Sequence, residues 1–116
     1  MLRPTVYYFL HMPEQAKSRR QKLEEFVAQH PQDAFSRYGL ALTCIQEGDV
    51  PAGESHFATL IKNNPDYVPG YQMYAQTLAK HHPDEARAIL IQGIEAANRA
   101  NNQHARSEME TLLGEL

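Results

Sequence analysis

Prolines and glycines divide this 116-residue chain into stretches of about the length of a helix. The dividing positions are Pro13, Pro31, Gly48 with Pro51, Pro65 with Pro69, Pro83, and the Asn101-Asn102 pair. Within each stretch, apolar residues recur three or four positions apart, which places them on one face of a helix. Residues 5–10 alone resemble a strand, and one short strand cannot form a sheet. The pattern therefore predicts an all-α fold.

We predict helices over residues 14–30, 33–47, 51–63, 67–81, 84–99 and 103–115. The connections between them are only a few residues long, which forces consecutive helices to lie antiparallel beside each other. Pro51 and Pro69 suit the first turn of a helix, where a missing N–H costs little. Asp66 and Asp84 are expected to be N-caps, because a carboxylate there accepts from free backbone amides.

The region after Pro31 has an internal period, since Pro65 follows it by 34 residues. Small, large and turn residues recur inside this unit in a regular order: Leu40, Ala41, Gly48-Asp49, Gly53 and Phe57. A second unit starts at Val68 and has Tyr71, Tyr74-Ala75, Leu78, Ala86, Leu90 and Gly93 at corresponding places. His82-Pro83 replaces the Gly-Asp turn, and Asn98 replaces the closing proline. Small residues at these places let two helices approach closely.

This period and residue pattern resemble the tetratricopeptide repeat (TPR) family, in particular small bacterial proteins with two repeats. The resemblance implies a short right-handed α-solenoid of antiparallel helix pairs, with about six helices. We expect residues 1–13 to form an N-terminal extension and 14–30 a leading flanking helix. Residues 31–67 would be the first repeat, 68–100 a degenerate second repeat, and 101–116 a C-terminal capping helix. Two repeats need such flanking cover because each hairpin leaves an apolar face open.

The resemblance also implies a function, because TPR proteins bind partners along the concave surface formed by the first helix of each repeat. That surface would present Phe35, Tyr38 and Leu42 from the first repeat, and Gln72, Gln76 and Lys80 from the second. Aromatic anchors beside side-chain amides suit an extended or helical peptide. The alternative is that Phe35, Tyr38 and Leu42 pack under the first flanking helix as ordinary core.

A second functional class remains open, in which the chain is a structural homo-oligomer or assembly subunit that associates weakly through its exposed solenoid faces. The N-terminal extension offers one way to do this. It contains an apolar run that begins at Val6 and ends at Leu10. We expect residues 1–11 to be a disordered tail or the product of a misassigned start codon, or else residues 6–10 to lie against an apolar groove of their own chain or a neighbour, giving autoinhibition or a swapped dimer.

Composition argues against several other classes of partner and location. The formal net charge is -3, so no strong positive field would gather nucleic acid or anionic lipid. Cys44 is the only cysteine, which excludes an internal disulfide and suits a reducing compartment, so we expect a cytoplasmic protein. No apolar run is long enough for a signal peptide or a membrane span, and we expect neither export nor an anchor.

Motifs for chemistry are missing from the sequence. The six histidines include neither an HExxH motif nor a pair four residues apart, and His81-His82 is most simply a polar turn, so we expect no metal site. There is no nucleophile motif and no glycine-rich phosphate loop. Cys44 lies between apolar helix residues and is expected to be a buried thiol. We therefore expect no enzyme activity and no cofactor.

Overall fold

The computed structural model describes residues 16–116, and these residues form six α-helices without any β-strand. The helices are α1 (Arg19–Gln29), α2 (Ala34–Gln46), α3 (Val50–Asn63), α4 (Val68–Leu78), α5 (Pro83–Arg99) and α6 (Gln103–Glu115). Over the described part of the chain, no helix is both long and apolar enough to cross a membrane. The prediction for residues 1–13 and the first two residues of the predicted helix 14–30 lie outside the described residues.

Four of the six helices begin at a polar side chain that caps free backbone amides. Ser18 forms a capping box with Gln21 at the start of α1, each side chain bonding the other's backbone N–H. Asp33, Asp49 and Asn102 accept from the amide three residues later and so begin α2, α3 and α6. The prolines predicted in first turns, Pro51 and Pro69, lie there.

The prediction that Asp66 and Asp84 are N-caps is wrong. Helix α4 begins after Tyr67 and α5 after His82, and neither start has a side-chain cap. His82 precedes a proline, which disfavours helical backbone for it, so the helix begins at Pro83 and the next acid falls inside the first turn. Asp66 instead accepts a hydrogen bond from Arg99 Nε at 3.0 Å.

Helices α2 and α3 form one antiparallel hairpin. Asn64, after the end of α3, donates from Nδ2 to the Gln32 carbonyl before the start of α2. At the other end, the Ile45 side chain lies over Gly53 in the first turns of α3. The turn between them contains Gly48 with φ of +87°, a left-handed conformation that glycine adopts without strain.

Helices α4 and α5 form the second antiparallel hairpin. Tyr71 near the start of α4 lies against Gly93 in the second half of α5, and Arg99 at the end of α5 reaches Asp66 before α4. Helix α4 ends at Leu78, and its carbonyl accepts from the His81 and His82 amides. The predicted helix extended to residue 81, so the structure shortens it.

Each helix packs against the next one along the chain, and α6 also contacts α4. The apolar core is distributed along this row in three clusters. One lies between α1, α2 and α3 around Val27, Leu40 and Cys44. The second lies in the first hairpin around Ala41, Phe57 and Leu60, and the third joins α4, α5 and α6 around residues that include Tyr71, Leu90 and Met109. Stacked helical hairpins with contacts to neighbours only are typical of a solenoid.

Candidate partner-binding surface

The first helices of the two hairpins, α2 and α4, carry the residues that the sequence nominated for binding. Helix α6 follows the second hairpin and packs beside α4 as the first helix of a third unit would. Two differently built regions adjoin α4. One is aromatic and lies toward α2, and the other is polar and lies toward α6.

The aromatic region consists of three tyrosines around a buried phenylalanine, which we call the tyrosine cluster (Tyr38, Tyr67 and Tyr74 around Phe57). The Tyr38 ring makes edge contacts with Phe57 and Tyr67 at centroid distances of 6.3 and 5.6 Å. Tyr74 stacks on Phe57 at 5.8 Å. Phe57 is fully buried, whereas the three tyrosines are partly exposed. The phenylalanine therefore fixes the position of rings that still meet solvent.

The tyrosine hydroxyls of this cluster are neutral at physiological pH. Burial raises the pKa of Tyr38, Tyr67 and Tyr74 above the ordinary value, so the phenols stay protonated. Tyr71 is different, since its hydroxyl donates to the Pro65 carbonyl at 2.7 Å. Within residues 16–116, the other three hydroxyls make no hydrogen bond to the protein. They remain free to bind water or a ligand.

The polar region is an open groove between α4 and α6, which we call the polar groove. It has a volume of about 300 Å³ and is lined by Gln72, Gln76, Glu108, Thr111, Leu112 and Glu115. Gln72 Nε2 donates to Glu108 Oε1 at 3.3 Å, so this amide and carboxylate orient one another. Two amides, a hydroxyl and two carboxylates can bond to an extended backbone or to a cationic side chain.

The structure brings some of the nominated residues together and separates others. Tyr38 and Leu42 pack on the core of the first hairpin, and Gln72 and Gln76 share the polar groove. Lys80 does not line that groove, because α4 ends at Leu78 and the lysine lies in the following turn.

Phe35 is also apart from the other nominated residues. It is 75% exposed and lines a separate apolar groove with Leu23 and Phe26 between α1 and α2. The alternative that Phe35, Tyr38 and Leu42 pack under the first flanking helix is therefore wrong, since Leu42 packs on the core of the first hairpin as Tyr38 does. Phe35 is exposed, and the Tyr38 ring contacts Phe57 and Tyr67 instead of α1.

Several residues of the tyrosine cluster and of the polar groove were not predicted from the sequence. Tyr67 and Tyr74 join the tyrosine cluster through contacts between helices, which no local spacing reveals. Glu108, Thr111 and Glu115 were detectable, because spacings of three and four residues place them on one face of α6. The sequence does not show that α4 lies beside that face.

The histidines and the cysteine make ordinary structural contacts. His81 Nε2 lies 3.0 Å from Glu54, and His82 Nδ1 lies 3.9 Å from Glu85. Across residues 16–116, no group of three or more potential ligands could hold a metal ion. Cys44 has no exposed surface, and burial raises the pKa of its thiol. The hypothesis that residues 6–10 lie in an apolar groove falls outside the described residues.

Comparison with known proteins gives two structural likenesses. A tetratricopeptide repeat domain protein from Salinibacter ruber, solved by NMR, is 28% identical and superposes with a TM-score of 0.69, covering 73% of this chain and 87% of that one. A protein from Bordetella parapertussis, also solved in solution, is 21% identical with a TM-score of 0.70, covering 85% and 87%. No protein-family model and no curated protein matches the sequence. The structural likenesses confirm the predicted all-α fold of tetratricopeptide type.

Proposed function

Starting from a tetratricopeptide-like fold, we propose that this chain is a protein-interaction module that binds a peptide or protein segment across α2, α4 and α6. The module would work by recognition alone, without catalysis or a cofactor. The lone cysteine, Cys44, is reduced and buried, which suits a cytoplasmic location.

The observation that supports this proposal most strongly is the pairing of the tyrosine cluster with the polar groove across one helix. Tyr74 faces the first hairpin's core from α4, while Gln72 and Gln76 on the same helix line the groove toward α6. A helix is about 10 Å wide with its side chains, so one short segment can contact both regions. Aromatic side chains provide the anchoring area, and the amides provide hydrogen bonds.

The charge of the polar groove favours one class of ligand segment. Glu108 and Glu115 line it, and the structure places no lysine or arginine among its lining residues. A segment with an apolar or aromatic residue followed by a basic one would place each group against a complementary surface. We therefore expect bound peptides to carry Lys or Arg near an aromatic or aliphatic anchor.

A selected peptide tests the proposal directly. Peptides would be selected on the full chain from a random display library, and the best binder would then be titrated by calorimetry. Tyr38→Phe removes only the hydroxyl and keeps the anchoring ring. Gln76→Ala removes an amide that is exposed in the polar groove. We expect Gln76→Ala and Glu108→Gln to weaken binding, and Tyr38→Ala to weaken it by about fivefold or more, since truncating an anchor typically costs at least ~1 kcal/mol.

The control substitution is Ile91→Ser, which changes an exposed apolar residue on α5 away from both regions. Thermal unfolding of each variant would show that the fold is intact. Binding that survives Tyr38→Ala and Gln76→Ala together, at equal stability, would contradict the proposed surface. Sedimentation across a concentration series tests the alternative function. A stable self-associated form would favour the structural homo-oligomer.

A further inference from the structure

A second apolar surface lies at the other end of the row of helices, away from the polar groove. It is a groove of about 320 Å³ between α1 and the first half of α2, lined by Arg19, Leu23, Phe26, Asp33, Phe35, Ser36 and Gly39. We call it the α1–α2 groove. Its lining is mostly apolar, and it also includes the charged residues Arg19 and Asp33.

This groove is open to solvent in the described residues. Phe26 is 45% exposed and Phe35 is 75% exposed, and only one other large apolar residue of the described part, Ile91, is comparably exposed. Two of these three residues therefore meet in one groove. Contiguous exposed apolar surface commonly marks a place where something binds.

We propose that residues 6–10 of the same chain bind in the α1–α2 groove. These residues read VYYFL and form five consecutive apolar or aromatic positions that precede α1 in the sequence. Their side chains match the groove in character, since aromatic rings pack well on Phe26 and Phe35. The proposed occupant is thus a segment of this chain, which would bind between α1 and α2 of its own molecule.

Chain length allows this arrangement. Residues 11–15 separate Leu10 from Ala16, the first described residue. Six extended steps of the chain span about 20 Å. The groove runs along α1 from Arg19 to Phe26, which is about 10 Å at the rise of a helix. The connection is long enough for residues 6–10 to reach either end of the groove without displacing α1.

The covalent connection favours the segment of the same chain over that of a second copy. A tether of this length holds the segment near the groove at an effective concentration of roughly millimolar. A second copy reaches comparable occupancy only when the protein itself is that concentrated. Intramolecular binding should therefore be independent of protein concentration.

The groove can be blocked without disturbing the helices. A side chain added at Gly39 would meet only the Leu23 Cδ2 atom, 3.9 Å from its Cβ, which is an ordinary contact distance. A larger side chain at this position points into the open groove. Gly39→Leu should therefore fill the α1–α2 groove while improving the intrinsic helix preference of α2. Phe35→Ser removes one wall of the groove by a different route.

A single indole reports whether the groove is occupied. The chain has no tryptophan, so Tyr8→Trp introduces a unique fluorophore in the full chain, and Tyr7→Trp is a second probe in case one position fits poorly. We expect blue-shifted emission and protection from acrylamide quenching. Combining either probe with Gly39→Leu or Phe35→Ser should shift the emission to the red and increase quenching to that of a solvated indole. Ile91→Ser should leave both readouts unchanged.

Each outcome decides the proposal. Protection that is lost with Gly39→Leu, and that is constant over a hundredfold dilution of a monomer, supports it. If both indole probes are as quenchable in the parent chain as in the blocked variants, the proposal is wrong. Protection that fades on dilution of a dimer also overturns it and assigns the segment to a second copy. None of these readouts depends on a bound peptide, so the result is separate from the proposed function.

Discussion

Within residues 16–116, the two ends of the row of helices are buried to different depths, although one flanking helix packs on each. At the carboxyl end, α6 buries Ala105 and fully buries Met109 against α4 and α5. At the amino end, α1 buries only Val27 and leaves Phe26 45% exposed. An apolar stripe on a flanking helix is therefore not enough to close an end of a solenoid.

Two glycines explain much of this difference. A Cβ built on Gly93 of α5 would lie 2.6 Å from both Met109 Sδ and Tyr71 Cβ, so glycine is needed for α4, α5 and α6 to meet there. At the amino end, a Cβ on Gly39 would have one neighbour, 3.9 Å away on Leu23. The first glycine is used for close packing and the second borders an open groove.

The largest expected effect comes from truncating the buried side chain at each end. Met109→Ala should lower the free energy of unfolding by about 2–5 kcal/mol, because it removes a fully buried side chain and leaves a cavity. Val27→Ala should cost about 1.5 kcal/mol for the lost carbons. Denaturant titration of both variants checks the ranking. Equal costs at the two ends would contradict the difference in packing described above.

The two glycines should respond to alanine with opposite signs. Gly93→Ala raises the intrinsic helix propensity of α5 but pushes α4, α5 and α6 apart. We expect a net decrease in the free energy of unfolding of about 1–2 kcal/mol. Gly39→Ala meets no close neighbour and should stabilise the protein by about 0.5–1 kcal/mol. Thermal and urea unfolding measure both changes. Stabilisation by Gly93→Ala would show that the carboxyl end is looser than its contacts indicate.

The smallest expected effect is a difference in acid sensitivity between the two ends. Hydrogen bonds from the Ser36 side chain and amide lower the pKa of Asp33, and bonds from the Arg20 side chain and the Ala52 amide lower that of Asp49. The folded pKa values lie below the unfolded ones, so this stabilisation is present above the unfolded pKa and is lost as the pH falls through the folded values. The acids cap α2 and α3, whereas the cap of α6, Asn102, does not titrate there.

Residue-by-residue NMR melting between about pH 5 and pH 2 tests this difference. We expect α2 and α3 to lose stability on acidification before α6 does. Asp33→Asn and Asp49→Asn keep a capping oxygen and should flatten the pH dependence of their own helices. If α6 weakens first in the parent chain, the capping acids do not control the acid response.

Much of the fold could be predicted from the sequence because its signals are local. Proline in the first turns of α3 and α4 and glycine at the left-handed Gly48 are backbone requirements, so Pro51, Pro69 and Gly48 were interpreted correctly. The errors also have local causes. The proline after His82 starts α5 one residue before the expected Asp84, and the turn that closes on the Leu78 carbonyl shortens α4.

The candidate site was less predictable because its composition depends on neighbours distant in sequence. Tyr38 was nominated from its position in a repeat, but its contacts to Phe57 and Tyr67 arise only when α2, α3 and the start of α4 are packed. Lys80 was nominated because the predicted helix 67–81 included it, whereas α4 ends at Leu78. Phe35 lies on the same face of α2 as Leu42. However, α1 packs beside Phe35 and forms a separate groove with it. Helical periodicity identifies a face, and the adjoining helices decide what that face becomes.

The position of the single cysteine has a practical consequence. Cys44 sits in the cluster formed with Val27 and Leu40 where α1, α2 and α3 meet, and it has no exposed surface. A thiol-reactive dye can modify it only during transient detachment of these helices. When reclosure is faster than modification, the labelling rate is proportional to the equilibrium population of the opened form. The labelling rate of Cys44 in the native chain therefore measures how often the helices at the amino end separate.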